Sequence, residues 1–276
     1  MFKPDAPLGG PRLFTIAQLA AGGAWKLELL HDRDTSVFLW ITKGQGVAVL
    51  DGVRRGIGVH NAIYIPARRL FSVELGRQGY GQALVLPGST DIGFPDDVFH
   101  LRMRSVVAHA ELTALLEAIG REQQGGAAFA DDAVAAYARL VAIWFRRQLA
   151  ENGDFNAASA ARRLVRAYAA RLVTHHASPA TTSDHATELG VTATHLSRVC
   201  KAECGRTASA MLTERVLHAA RHLLEETQTP VQDIARHLGF GSAAYFTRFI
   251  QQHAGATPTG LRRRAHDRIQ PKVHPA

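Results

Sequence analysis

Apolar positions in the first hundred residues form short runs rich in β-forming residues and separated by turn signals. The runs cover residues 25–29, 37–41, 46–50, 62–65 and 82–86. Asp51-Gly52 lies between two of them and is typical of a tight hairpin turn. Strands spaced at roughly ten residues predict a small barrel or sandwich.

After Val106 the apolar positions follow a helical period. One amphipathic segment covers residues 112–119, a Gly-rich break follows, and a second segment covers 134–149. From residue 160 onward every segment has a helical pattern. The sequence therefore predicts an α+β protein with a β-rich part at 1–105, a helical linker or dimerisation segment at 106–159, an all-α domain at 160–264 and a flexible basic tail at 265–276.

Charge divides the 276-residue chain into two unlike parts. Residues 1–161 contain 16 Lys plus Arg and 16 Asp plus Glu, whereas residues 162–276 contain 16 and 8. The whole net charge of +8 therefore belongs to the second part. This division favours a polyanion as the partner of the carboxyl-terminal part, with a surface that is basic only for solubility as the alternative.

Several classes of protein are disfavoured by the sequence. No apolar run reaches the roughly 18 residues that a membrane-spanning helix needs, so no membrane partner is predicted. The segment 13–24 has some features of a secretory signal, but Thr15 and Gln18 interrupt it. Cys200 and Cys204 are too few for a disulfide framework, and Cys200 falls at an apolar core position. We therefore expect a cytoplasmic protein with structural cysteines.

Two segments of the basic part repeat one pattern. Residues 186–198 and 235–248 each contain an Ala, a Leu-Gly pair three residues later, and a segment that begins with Ser or Thr and ends in Arg. The glycine suits the left-handed end of a helix, and Thr192 and Ser242 suit the cap of the next one. The repeat predicts a helix-turn-helix motif used twice.

The second helix of each motif has an outward face of small residues and one arginine, which suits entry into a major groove. Leu196 and Phe246 are predicted to point inward. A helix over 209–226 would span roughly 30 Å, close to one DNA turn of about 34 Å. The predicted outward residues are Thr194, Ser197 and Arg198 in the first motif and Ala244, Tyr245 and Arg248 in the second.

The segment 234–263, IARHLGFGSAAYFTRFIQQHAGATPTGLRR, resembles the AraC/XylS family of bacterial transcription regulators. The shared pattern is an Ile-Ala start, Leu-Gly-Phe, a serine, an aromatic pair, Arg-Phe, Gly-x-Thr-Pro and a basic end. The resemblance extends back to about residue 160. Two departures are Leu261, where the family usually has an aromatic residue, and residues 250–252, which replace a typically basic stretch.

The resemblance implies a sequence-specific regulator, expected to be an activator, with no cofactor and no enzyme activity. Its implied partners are double-stranded DNA, RNA polymerase and a second copy of the chain. His195 lies beside the reading face, where it is expected to touch a phosphate. The candidate DNA-binding residues are Thr192, Thr194, His195, Ser197, Arg198, Lys201, Ser242, Ala244, Tyr245 and Arg248.

Family members of this length carry a cupin-like barrel that binds a small molecule, followed by helices that dimerise. The same architecture is expected here, with an unidentified effector in an apolar interior. The alternative is that the aromatic candidates are ordinary core residues and that Arg68 is solvated. The effector candidates are Phe38, Trp40, Tyr64, Arg68, Phe71 and Tyr80.

A candidate dimer face comprises Tyr137, Leu140, Val141 and Trp144, with packing against the barrel of the same chain as the alternative. No metal site is predicted, because Arg33 stands where a His-x-His pair starting at His31 would need histidine. Two other functions stay open: a ligand-independent regulator whose barrel only dimerises, and a cupin-type enzyme with a DNA-binding appendage.

Overall fold

The computed structural model describes residues 9–88, 92–152 and 159–269. The contacts between residues in space divide the chain into two compact units. Unit 1 comprises Met1–Leu19, Asp32–Leu50 and Arg55–Ala158, and unit 2 comprises Ala20–His31, Asp51–Arg54 and Ser159–Ala276. Unit 2 therefore includes two short stretches from the first half of the sequence.

The strands form two separate sheets. Their bounds are β1 Arg12–Thr15, β2 Thr35–Lys43, β3 Gln45–Leu50, β4 Val53–Gly58, β5 Asn61–Ile65, β6 Phe71–Leu75, β7 Tyr80–Pro87 and β8 Phe99–Arg102. The larger sheet has the order β1-β7-β2-β5-β8 and the smaller one β4-β3-β6. In the larger sheet β2 pairs antiparallel with both β5 and β7. The predicted cupin-like β-rich part is confirmed, but its two sheets do not close into a single barrel.

Four of the five predicted runs lie in strands, namely β2, β3, β5 and β7. The strand predicted at 25–29 is wrong, because Trp25–Glu28 is a one-turn helix, α2. The Leu29 backbone N–H donates to the Trp25 carbonyl at 3.2 Å. Alternation over five residues is too short to separate a strand from a single helical turn. A second short helix, α1, covers Ile16–Leu19.

The hairpin turn predicted at Asp51-Gly52 joins β3 to β4. Asp51 and Gly52 have φ angles of +48° and +77°, both left-handed. A two-residue loop with both φ values positive matches the right-handed twist of the strands it connects. Asp tolerates this conformation better than most residues that carry a Cβ, and Gly adopts it freely.

Two long helices, α3 Val106–Gly125 and α4 Ala130–Asn152, complete unit 1. The Ser105 hydroxyl caps α3 by accepting a hydrogen bond from the Ala108 N–H at 3.2 Å. The buried side chains of both helices form one core with those of the larger sheet. This core includes Phe38, Trp40, Tyr64, Leu84, Leu112, Leu116, Ile119, Val141, Trp144 and Phe145.

Outside the stretches 20–31 and 51–54, the described residues of unit 2 form helices joined by short turns. Their bounds are α5 Ala160–His175, α6 Thr182–Glu188, α7 Ala193–Cys204, α8 Ala208–Glu226, α9 Val231–His237, α10 Ala243–Ala254 and α11 Pro258–Ile269. The flexible tail predicted at 265–276 is corrected for residues 265–269, which continue α11 with Ala265 buried. The rest of that tail lies outside the described residues.

The α+β fold class is therefore confirmed, with a β-rich amino-terminal part and a helical carboxyl-terminal part. No helix in the described ranges has both the length and the apolar character that crossing a membrane requires. Across the same ranges, no three His, Cys, Asp or Glu side chains gather as a potential metal-binding group.

Candidate nucleic-acid interface

The first helix-turn-helix motif consists of α6 and α7. Gly190 follows α6 with a φ of +68°, the conformation in which a chain commonly leaves a helix. The Thr192 hydroxyl then accepts a hydrogen bond of 3.2 Å from the His195 backbone N–H and so caps α7. The glycine turn and the cap predicted from the sequence are both confirmed.

Helix α7 has a buried face and an exposed face. Leu196, Val199 and Cys200 are buried and anchor the helix in unit 2. The exposed face carries Thr194, His195, Arg198 and Lys201, with Ser197 half-buried beside them. The structure thus brings the predicted contact residues of this helix together on one surface.

Two cationic side chains of α7 differ in how they are held. The Arg198 guanidinium donates to Nδ1 of His195 at 3.2 Å, which keeps it against the outer face of the helix. The Lys201 ammonium donates to the Gly205 carbonyl at 3.0 Å, at the carboxyl end of α7. A cation is favourable there because helix carbonyls accumulate negative potential at that end. Lys201 therefore also stabilises the end of α7.

A concave surface of about 460 Å³ adjoins the amino-terminal end of α7. It lies beside residues that were predicted to meet DNA. Thr187 and Val191 also lie on this surface, although neither was predicted, because neither has a capping, basic or aromatic signal. Its lining residues are Thr187, Gly190, Val191, Thr192 and His195.

The second motif consists of α9 and α10 and repeats the same local geometry. Gly239 has a φ of +79°, and the Ser242 hydroxyl accepts a 3.1 Å hydrogen bond from the Tyr245 N–H. Phe246 is fully buried. The predicted outward residues Ala244, Tyr245 and Arg248 are all exposed.

The turn of the second motif is one residue longer than that of the first and contains an aromatic side chain. The Phe240 ring centroid lies 5.1 Å from those of Phe246 and Phe249 and 5.7 Å from that of Tyr245. Such ring separations suit favourable edge and offset contacts. The cluster supports the Tyr245 ring on one side, while that residue stays 57% exposed.

Helix α8 links the two motifs, and Arg262 of α11 fixes its carboxyl end. The Arg262 guanidinium donates to the Leu224 carbonyl at 3.2 Å and to the Thr229 carbonyl at 2.5 Å. The arginine of the family pattern thus supports the fold here. Leu261, which replaces the usual aromatic residue, is buried beside it.

The two cysteines lie in the core of unit 2, as predicted. Cys200 and Cys204 are free and buried. Burial raises the pKa of the Cys200 thiol to about 12. The thiolate is the nucleophilic form of cysteine, so this environment disfavours thiol chemistry.

The aromatic effector candidates lie mainly inside the core of unit 1. The Phe38 ring meets Phe145 edge-on at 5.5 Å, and the Tyr64 ring stacks on Phe94 at 4.4 Å. Trp40 and Phe71 are also buried, whereas Tyr80 is half exposed. The packing favours the alternative in which most of these residues are ordinary core.

Arg68 is exposed and lies between two carboxylates. Its guanidinium is 3.1 Å from oxygens of both Asp32 and Asp34. Its backbone has a φ of +60°, an uncommon conformation for arginine. Neutralisation by two aspartates favours a surface role over the capture of an acidic ligand.

Unit 1 has a shallow polar groove that the sequence did not reveal. Its volume is about 330 Å³, and it includes Asn61 and Arg102 among several glycines. His100 donates to Oδ1 of Asn61 at 2.6 Å. Burial, together with Arg102 and Arg55, lowers the pKa of His100 to about 4, which keeps its imidazole neutral near pH 7.

The candidate dimer face is divided by the packing of α4. Val141 and Trp144 are buried in the core of unit 1, so both contact their own chain. Tyr137 is half-buried, and Leu140 is exposed. Ile143, which lies outside the predicted dimer face, is also exposed. The outer face of α4 is therefore centred on Leu140 and Ile143.

Comparison with known proteins assigns the two motifs to a helix-turn-helix domain. Residues 185–264 match the family described as "Helix-turn-helix domain". A probable bifunctional transcriptional activator/DNA repair enzyme, AlkA, of Mycobacterium tuberculosis is 34% identical over 85 residues, 31% of this chain and 17% of the relative. The uncharacterized HTH-type transcriptional regulator YfiF of Bacillus subtilis is 32% identical over 80 residues, 29% of this chain and 25% of the relative. This chain thus spans a quarter or less of either relative.

Two solved structures are also similar. Unsaturated-fatty-acid-bound ToxT from Vibrio cholerae aligns over 92% of this chain and 95% of its own, with 11% identity and a TM-score of 0.42. The carboxyl-terminal domain of AraT from Geobacillus stearothermophilus covers 38% of this chain and 85% of its own, with 28% identity and a TM-score of 0.35.

The paired motifs, their exposed helix faces and the family match define a helix-turn-helix domain of the class that binds DNA. More particularly, residues 185–264 form a helix-turn-helix domain of the type predicted from the segment 234–263. The resemblance to the AraC/XylS family predicted from the segment 234–263 is thereby confirmed for this domain.

Proposed function

We propose that α7 and α10 enter successive major grooves on one side of an operator. The observation that carries this proposal is that both helices are capped, anchored by a buried apolar face and exposed along the face of the predicted contacts. Helix α8, with 19 residues, is about 29 Å long at ~1.5 Å per residue. That length is close to the ~34 Å repeat of a DNA turn.

The two helices are proposed to read DNA unequally. In α7, the Arg198 guanidinium has the donor geometry for a guanine, and Thr194 and Ser197 have hydroxyls for base edges or phosphates. In α10, Ala244 offers only a methyl group, so Tyr245 and Arg248 carry most of the contact. His195 and Lys201 are proposed to meet phosphates, while Thr192 and Ser242 orient the helix ends.

We assign an activating role to the chain, with RNA polymerase as its protein partner and no catalytic step of its own. Unit 1 is proposed to bind a small effector that biases DNA binding by unit 2. Its polar groove at Asn61 and Arg102 is the surface that supports this role. The ranges 1–105, 106–159 and 160–264 are proposed to serve effector binding, dimerisation and DNA binding.

A second candidate function is a regulator that needs no ligand. The observation that favours it is the packing of Phe38, Trp40 and Tyr64 into a filled core. In this case unit 1 would serve association of two chains through the exposed Leu140 on α4. A screen of small organic acids and neutral metabolites by melting temperature separates the two functions, because a ligand that binds the folded chain raises that temperature.

Selection of binding sites from a random duplex pool tests the DNA-binding proposal. The full chain is expected to enrich two short motifs about one helical turn apart. Affinity for the selected duplex should fall steeply with salt, since phosphate contacts release counterions. Enrichment of one motif alone would contradict reading by both helices.

A further inference from the structure

A short stretch of the amino-terminal half, residues 20–31, belongs to the DNA-binding unit. We call it the strap. Trp25, Leu27, Leu30 and His31 are all buried, with Leu30 fully so. The strap lies outside residues 185–264, which match the helix-turn-helix family. The family match therefore does not describe this part of unit 2.

Aromatic contacts join the strap to the middle of α8. The His31 ring stacks on that of His218 with centroids 4.5 Å apart and an interplanar angle of 10°. The Trp25 ring lies 5.2 Å from the same histidine. His218 thus contacts two rings of the strap. Contacts at these separations stabilise a fixed arrangement beyond the burial of apolar area.

Charged contacts extend the strap to the carboxyl end of α8. The Arg221 guanidinium lies 4.5 Å from the centroid of the Trp25 ring and donates to the Glu225 carboxylate at 2.8 and 3.0 Å. One residue further on, Glu226 pairs with the Lys26 ammonium at 2.6 Å. Cation–π contacts of this kind gain strength where water is excluded.

Helix α11 meets the strap at the same place. The Arg268 guanidinium donates to the Glu225 carboxylate at 2.6 Å and also to the Gly22 carbonyl of the strap. The Glu225 side chain, only 2% exposed, is therefore held by arginines from two helices. The strap, α8 and α11 share one polar cluster, and α11 follows directly from the second reading helix, α10.

The sequence of the strap suits this placement. Gly23 has a φ of +146°, and a Cβ there would lie 2.6 Å from the Trp25 ring. A side chain at this position would be strained and would displace the indole. The glycine thus lets the chain turn directly into the Trp25 contact.

We propose that the strap is a positioning element of the DNA-binding unit. It holds the carboxyl end of α8 against α11 and so fixes the second reading helix relative to the first. The two motifs are joined through α8. A change in the position of α10 and α11 on α8 therefore changes the distance between the two DNA segments that the motifs read. DNA binding by the full chain then depends on side chains that lie more than 150 residues before the first motif.

Charge reversal at the Lys26–Glu226 pair tests the proposal in the full chain. Lys26→Glu and Glu226→Lys should each weaken binding to the selected duplex by about two- to fivefold, because each alone places like charges side by side. The double variant should regain most of the affinity. If the variants acted only through charge attraction to DNA, Glu226→Lys alone would tighten binding because it adds positive charge. That result would overturn the proposal.

A second variant addresses the aromatic contacts, with a matched control in unit 1. Trp25→Leu should weaken specific binding by about fivefold and should broaden the distance between the two selected motifs. Trp144→Leu removes a similarly buried indole from the core of unit 1 and should leave the selected distance unchanged. An unchanged distance with Trp25→Leu, measured on chain that remains folded by circular dichroism, would also overturn the proposal.

Discussion

At the scale of single residues, Gly190 and Gly239 occupy the same place in the two motifs but have different surroundings. Both have positive φ values, which disfavour any residue with a Cβ. A Cβ on Gly190 would meet open space, whereas one on Gly239 would lie 2.4 Å from the Ser178 carbonyl carbon. Gly190 is needed only for its backbone conformation. Gly239 is needed for its conformation and also because the Ser178 backbone lies too close to leave room for a Cβ.

Substitution of these two glycines separates the two requirements. Gly190→Ala should cost about 1–2 kcal/mol, the penalty of a left-handed conformation. Gly239→Ala should cost clearly more, because the neighbouring backbone must also move. Urea unfolding of each variant measures the difference. Equal losses would show that the contact with Ser178 does not constrain this turn.

His185, at the start of the first motif, makes unit 2 sensitive to acid. Its side chain is fully buried and edge-on to Tyr168. Burial lowers its pKa, as do the nearby Arg171 and His175, while Asp184 acts in the opposite sense. The folded pKa thus lies below the unfolded value of about 6.5. Its contribution to stability is present above that pH and is lost as the pH falls below it.

The melting temperature of the full chain should therefore fall between about pH 7.5 and 5.5. His185→Gln should make this dependence less steep, because an amide does not titrate. The contribution of His100, whose pKa is also lowered, should remain. His266→Gln, at an exposed position of α11, is the control and should keep the dependence of the parent chain. If the slope of melting temperature against pH is the same in all three proteins, another group causes the acid sensitivity.

At the scale of elements, α7 and α10 each begin at a capping hydroxyl that can be recognised directly in the sequence. Replacing either hydroxyl, in Thr192→Ala or Ser242→Ala, leaves a helix N–H without its partner and should lower stability by about 1 kcal/mol. Ser209→Ala, at an exposed serine inside α8 that is not its cap, should change stability far less. Thermal unfolding of the three variants checks this. A loss with Ser209→Ala as large as with the cap variants would argue against capping as the cause.

The sequence distance between residues that contact each other explains which elements could be predicted from the sequence. A glycine, a capping hydroxyl and a buried Leu196 or Phe246 lie within ten residues of one another, so local sequence is enough to place both motifs. The helix at Trp25–Glu28 could not be predicted in this way, because its conformation depends on His218 and Arg221, nearly 200 residues away. The positions of Phe38 and Tyr64 also depend on distant partners, on α4 and at Phe94.

At the scale of the whole molecule, the basic charge and the proposed DNA contacts coincide in one part of the chain. The carboxyl-terminal part carries the entire net charge of +8, and its two proposed reading helices expose Arg198 and Arg248. Phosphate attraction alone would give binding without sequence preference. The central claim is therefore that each arginine-bearing helix reads its own half of the site.

Repeated site selection with Arg198→Ala and Arg248→Ala tests that claim most directly. Each variant should keep the motif read by the intact helix and lose sequence preference in the other half, at a cost of about 1–3 kcal/mol on the parent site. The two losses should fall on opposite halves. If either substitution instead weakens binding to all duplexes equally and leaves both motifs intact, that arginine contacts only phosphate, and the claim of two independent reading helices is contradicted.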